Sequence, residues 1–260
     1  MGSYWLYDLP DVLEAAGLDF DVWPGWETRA RSSGGYDQVW AVFVHHTASD
    51  GPQDDDCAYE WDATGGDQPI GALNLGRDGH IYIGCAGATN CQGKGGPWTL
   101  SRGTIPLDKG NAYGIAIEAG NSGTGEAWPT AQTDAYVRLV AALCAAYGLD
   151  PQRDVLAHFE WVEPSCPGRK IDPAGPSPYA TGTSSWDMDG FRGDVTHCDG
   201  NQPPPPEEDD DVTDDDIARI ATAVWKYMTV DQTVNKAVTA EQLLQYTRNA
   251  AANADKQTKP

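Results

Sequence analysis

Two short stretches are too apolar to lie anywhere but inside a protein, and each ends in chemistry. QVWAVFVHH, residues 38–46, is a β-branched and aromatic run that closes in two histidines. YGIAIEAG, residues 113–120, is apolar throughout except for Glu118. Runs of this length and character read as buried strands. A strand that carries histidines to its C-terminal end delivers them where ligand sites commonly lie in α/β sheets.

Other segments fix the class. PIGALNLGRDGHIYIG, residues 69–84, is two apolar runs around Arg77-Asp78-Gly79, a hairpin pattern with its turn glycine. After Trp128-Pro129, helical spacing of Tyr136, Leu139, Val140, Leu143, Cys144 and Tyr147 predicts a long helix, with Thr130 as N-cap and Gly148 as the stop. RDVLAHFEW, residues 153–161, reads as a short strand-like segment that brings His158 into place. Strands and helices mixed within about 200 residues predict an α/β domain of two or three layers.

Composition changes at NQPPPPEEDDDVTDDD. Four prolines followed by like charges cannot bury a core, so residues 201–213 read as an extended, semi-rigid linker. Beyond it, residues 214–260 carry Ile217, Ile220, Ala221, Val224 and Met228 on one helical face, and a second helix is expected from Thr239 through Leu243, Leu244 and Tyr246. Two short helices make no stable domain alone. Self-association, docking on a partner or packing on the main domain is expected of them.

The formal net charge of −22 disfavours nucleic acid and anionic surfaces as partners. No apolar run reaches the roughly 18 residues of a membrane span. Ten tryptophans and eleven tyrosines against four phenylalanines suit both a core rim and the handling of hydroxyl-rich ligands such as glycans.

The six cysteines form no C-x-x-C pair, which argues against a zinc ribbon. Cys144 belongs to the apolar face of the long helix, and Cys85 and Cys91 are close enough to bridge a loop, although thiols are expected in a reducing compartment. His45 and His158 are the candidate metal ligands, since a catalytic zinc takes three protein ligands and keeps a fourth position open. His46 points to the opposite face of the strand, and His80 and His197 are expected at the surface. In LAHFEWVEPSCPGRKIDPAGP, residues 156–176, Cys166 and Asp172 compete for the third ligand position. Glu118, an acid in an apolar strand, needs either a hydrogen-bonding partner or a raised pKa, and the second is what a general base working near neutrality requires.

Taken together, FVHHTAS, the GRDG hairpin, YGIAIEAGNSGTGEAWP and AHFEW...PGRKIDP resemble the zinc N-acetylmuramoyl-L-alanine amidases, the family of phage endolysins and peptidoglycan recognition proteins. The resemblance spans roughly residues 36–180. It implies a central, mainly mixed β-sheet flanked by helices, zinc as cofactor, His45 and His158 as ligands, and bacterial peptidoglycan as substrate. For the third ligand the family offers two patterns. A cysteine eight residues after the histidine is Cys166. The PGRK-x-D-P pattern makes Asp172 the ligand and Lys170 catalytic. Asp172 is favoured, because the cysteine pattern wants a lysine or threonine where Pro164 stands. Glu118 falls on the family's acidic strand position. Where some members use a tyrosine, six residues before the hairpin arginine, this chain has Gly71, which leaves more of the chemistry to Glu118.

The resemblance therefore implies a catalytic domain over residues 1–200 that cleaves the amide between N-acetylmuramic acid and L-alanine. A zinc peptidase acting within the stem peptide and a non-catalytic peptidoglycan-binding module are the alternatives. The first residues show no export signal, so a lysin of this kind is expected in the cytoplasm of the infected host, reaching the wall through a separate pore. Neither nucleic-acid binding nor membrane insertion is expected, and homo-oligomerisation through the C-terminal helices or their binding to the cell wall are the expected uses of that region.

Overall fold

The computed structural model describes residues 2–64 and 66–198. The linker expected over 201–213 and the helices expected over 214–260 lie outside the described residues. Six strands form one mixed sheet: β1 (Phe20–Val22), β2 (Ala41–His46), β3 (Leu73–Leu75), β4 (Ile81–Ile83), β7 (Gly114–Ala119) and β8 (Val155–Ala157), in the order β1-β4-β3-β7-β2-β8. A separate pair, β5 (Trp98–Thr99) and β6 (Thr104–Ile105), lies between β4 and β7 in the chain. Only β3 and β4 run antiparallel within the large sheet, closed by the expected hairpin with Gly79 at φ +89°. The helices are α1 (Leu9–Ala15), α2 (Gln53–Trp61), α3 (Gly110–Tyr113), α4 (Thr130–Tyr147), α5 (Pro151–Asp154), α6 (His158–Val162) and α7 (Met188–His197). Among the described residues no helix is long and apolar enough to cross a membrane.

The two apolar runs became the central strands β2 and β7, paired in parallel over their full length. Side chains alternate across such strands. Val42, Val44, Ile115 and Ile117 share one core with Tyr136, Leu139, Val140 and Leu143 of α4. Ala41 and Phe43 turn the other way, into a smaller cluster with Leu156, Trp161 and Val162. The same alternation carries His45 after Phe43 and His46 after Val44. Each fully buried side chain of this kind contributes roughly 1.5–3 kcal/mol, so α4 is held by packing rather than by its caps.

Its N-terminus differs from expectation. Pro129, with extended backbone, is the N-cap and Thr130 the first helical residue, without a side-chain cap. A proline fixes φ where the chain enters the helix, and the hydroxyl of Thr133 bonds back to the Pro129 and Thr130 carbonyls. Gly148 ends the helix in the left-handed region, as expected. Helix α7 is not among the elements expected, although its apolar residues fall at helical spacing. Asp187 caps it by accepting from the Asp189 and Gly190 amides, and Met188, Phe191 and Val195 are buried.

Motif residues far apart in sequence tie the loops together. Arg77 of the hairpin makes a bidentate pair with Glu126 at 2.6 and 3.2 Å and donates to the Ser49 and Gly51 carbonyls, so it joins the loops following β2 and β7. Glu160 accepts from the Ala157 amide and from both outer nitrogens of Arg192, which holds the turn from β8 into α6. From α4, the Tyr136 hydroxyl accepts from the His45 amide at 2.9 Å and lies within donating distance of the His45 and Ile117 carbonyls. Tyr136→Phe strands these buried groups, so a loss of about 1–3 kcal/mol is expected, read as a lower urea midpoint at unchanged slope.

Candidate metal centre

At the C-terminal end of β2, three donor atoms meet. His45 Nδ1, His158 Nδ1 and Asp172 Oδ2 stand 3.0 Å from one another on all three sides. His45, His158 and Asp172 are all buried. Three different segments supply them: the end of β2, the first residue of α6, and the loop leading away from α6.

Hydrogen bonds alone cannot satisfy this triangle. His158 Nε2 lies 3.1 Å from the Gln92 carbonyl oxygen, a contact that needs an N–H, so in the neutral ring Nδ1 carries a lone pair. Burial raises the Asp172 carboxyl, but the His158 and His45 rings beside it outweigh that and hold the group well below the usual range, so it is ionised and accepts only. Burial, and then the neighbouring His158 ring, push His45 down to about 4. Its ring is therefore neutral at physiological pH. Lone pairs face each other at 3.0 Å, and a cation placed among them turns repulsion into ligation. Donors bound tetrahedrally at about 2.0–2.2 Å stand roughly 3.3 Å apart, close to the spacing here, and two imidazoles with one carboxylate are a common set for catalytic zinc. The bond from His158 to a backbone carbonyl is the kind of outer support that orients a metal-binding imidazole. The residues present fit zinc.

Cys166 is not among the donors that meet. Its amide bonds to the Val162 carbonyl at 2.7 Å, continuing the turn of α6, and its side chain packs against the cluster around Trp161. The chain then reverses through Pro167 and Gly168 before Asp172. Asp172 is anchored from several sides. Its carbonyl accepts from the Phe159 amide at 3.2 Å, and two residues on, the Ala174 amide donates to His46 Nδ1 at 3.2 Å. His46, on the far face of β2, is thus a strut for the loop that carries Asp172. Lys170, two residues before Asp172, is half-buried and lines the same groove as Asp172. His80 pairs with Asp19 at 2.9 Å and His197 is exposed, both away from the triangle.

Glu118 sits beside the triangle because the parallel register sets it opposite His45, and opposite Asn74 on its other side. It is 7% exposed; its Oε1 accepts from the Cys91 thiol at 2.8 Å, and its Oε2 has no partner. Burial raises its pKa to about 8, against the lowering effect of the Cys91 bond and with a further raising effect from Asp172. Neither Cys85 nor Cys91 is bridged; Cys85 donates to the Arg29 carbonyl. Gly71 has a physical reason: a Cβ there would stand 3.1 Å from Glu60 Oε2 and 3.2 Å from Glu118 Cγ. Two acidic side chains fill the space a tyrosine would need. A groove of about 660 Å³ opens over the centre, and its lining includes Glu118, His158, Lys170 and Asp172 together with Asp55, Asp56, Tyr59 and Glu60 of α2.

A family model described as N-acetylmuramoyl-L-alanine amidase matches residues 35–175, more than half the chain. The chain belongs to that family. Among solved structures, this amidase is similar to the N-acetylmuramoyl-L-alanine amidase LysC from Clostridium intestinale, at 15% identity over 68% of this chain and 97% of that one, TM-score 0.42. It is also similar to wild-type PGRP-LB of Drosophila, at 16% identity over 73% and 99% of the two chains, TM-score 0.42. PlyL matches at 18% identity over 60% and 86%, TM-score 0.41. No curated protein matches the chain. At this level of structural likeness the family model alone assigns membership.

Sequence reasoning missed Glu60, Cys91, Gln92 and the strut made by His46. Glu60 and Cys91 lie in stretches without strand or helix periodicity strong enough to place them, and the Gln92 contact is made by a backbone carbonyl that any residue would supply. In the purified amidase, Cys166→Ser is expected to keep about one zinc per chain, whereas Asp172→Asn loses most of it; metal analysis of the two variants, each checked for folding, decides between them.

Proposed function

We propose that this family member is a zinc-dependent hydrolase of the amide between the lactyl group of N-acetylmuramic acid and the L-alanine that starts the stem peptide. The observation that carries the reading is the triangle of His45, His158 and Asp172 at 3.0 Å, with an unpartnered carboxylate oxygen of Glu118 beside it and a groove above. Zinc held by His45 Nδ1, His158 Nδ1 and Asp172 Oδ2 supplies Lewis acidity toward the amide carbonyl and makes water acidic enough to ionise near neutrality.

The chain's own groups do the rest. Glu118 Oε2, free of any partner, accepts the proton of the attacking water and returns it to the leaving alanine nitrogen. The Cys91 thiol, by donating to Oε1, leaves Oε2 as the basic oxygen. Lys170 on the groove wall faces the charge that develops on the carbonyl oxygen, where a fixed cation stabilises the transition state more than the ground state. The Gln92 carbonyl and the His46 strut keep His158 and Asp172 in place while the substrate binds.

Incubation with peptidoglycan is expected to release new alanine amino termini and intact stem peptides, without new reducing sugar ends, and a chelator is expected to abolish the release. Reducing ends or fragmented stems contradict the reading. Glu118→Gln is expected to lower kcat by about 10²–10⁴-fold with a small change in KM. The same substitution has an opposite effect on stability. A carboxyl raised in the folded state from its ordinary value to about 8 makes folding favourable below the ordinary value and progressively less so as pH rises toward 8. The zinc-free Glu118→Gln protein is therefore expected to have a higher Tm than the zinc-free parent at pH 8, and little advantage near pH 4.5.

A further inference from the structure

Residues 79–107 hold no aspartate or glutamate, in a sequence with 39 of them. The lysines of the described residues gather where that stretch meets its neighbours: Lys94 inside it, Lys109 just past its end, and Lys170 next to Arg169 in the loop after α6. Hydrogen bonds clamp these segments together. Arg169 Nη2 donates to the Lys94 carbonyl at 2.5 Å. The next residue, Gly95, donates to Asp108 Oδ1 at 3.0 Å and accepts from the Asp108 amide at 2.9 Å, which brings in Lys109. Asp108, the one acid between Asp78 and Glu118, is thus taken up by the loop itself.

Lys94, Lys109 and Arg169 are all exposed. Among the described residues none of them is ion-paired to a carboxylate, whereas Arg29, Arg77 and Arg192 each are. None lines the groove over the metal centre, yet the patch borders it: Gln92, two residues before Lys94, gives its carbonyl to His158, and Lys170 follows Arg169 into the groove wall. A chain of net charge −22 repels a polyanion as a whole, so a local positive face decides which side can approach one.

We propose that Lys94, Lys109 and Arg169 form a docking face for a linear phosphodiester polymer of the bacterial wall, outside the groove that takes the reacting amide. The wall as the source of the polymer rests on the amidase reading. A phosphodiester polymer is charged at every repeat and carries condensed counterions, whose release favours the cations that replace them. Arginine adds a planar fork that matches two phosphate oxygens. Docking there brings the neighbouring groove to the surface that bears the polymer.

The test uses the full chain loaded with zinc and labelled inorganic polyphosphate, followed by anisotropy across a salt series. The parent is expected to bind with a log–log salt slope of about −2 to −3, and Lys94→Gln with Lys109→Gln is expected to flatten that slope by roughly 2 at unchanged Tm. On purified walls bearing a glycerol-phosphate polymer, the parent is expected to cosediment more than the double variant, and the difference to vanish once hydrofluoric acid has stripped the polymer. No binding of polyphosphate, a slope untouched by the double variant, or tighter binding to phosphatidylglycerol vesicles than to polyphosphate overturns the proposal. Binding that follows the two lysines without any release of alanine amino termini upholds the face and contradicts the amidase reading alone. Release of alanine termini without polyphosphate binding does the reverse.

Discussion

Three candidate ligand atoms held 3.0 Å apart, with the lone pairs of His158 Nδ1 and Asp172 Oδ2 facing each other, are the constraint on which the rest of this structure depends. A protein left to hydrogen bonds would relax such an arrangement, and this one instead builds supports against relaxation. The Gln92 carbonyl fixes one imidazole, Tyr136 clamps the backbone of His45 from the far side of the sheet, and His46 braces the loop behind Asp172. Three separate segments must therefore be correct at once. That requirement explains why polar residues recur inside an otherwise apolar sheet.

The parallel pairing of β2 with β7 converts this into chemistry. Register alone sets Glu118 next to His45 and next to Asn74, so a row of polar side chains crosses three strands on one face while α4 keeps the other face dry. The same row leads outward from the triangle of His45, His158 and Asp172 to Glu60 on α2.

Much of this was legible in the sequence, for particular reasons. Strands β2 and β7, the β3–β4 hairpin and α4 carry periodic patterns and turn residues strong enough to be read locally, and His45, His158 and Glu118 stand out because polar groups interrupt or end those patterns. The choice between Cys166 and Asp172 was not decidable locally, since both suit zinc and both follow His158 at workable spacing. What separates them in space is the extra turn after α6, which packs Cys166 toward Trp161 and returns the chain at Asp172. Gly71 read as a departure from the family. It becomes intelligible only when Glu60 and Glu118, 58 residues apart in numbering, are seen to share its space. Contacts between distant segments, above all those made through backbone carbonyls, leave no mark on composition or period.

The most direct test of the central claim is X-ray absorption at the zinc edge of the zinc-loaded protein. Zinc–nitrogen and zinc–oxygen bonds lie at about 2.0–2.2 Å and zinc–sulfur bonds at about 2.3 Å, so the first shell reports its own composition. Coordination by nitrogen and oxygen alone, with the multiple-scattering pattern of two imidazoles, is the result expected from His45, His158 and Asp172. A sulfur in the first shell would contradict it and assign a thiolate of this chain to the metal in place of Asp172.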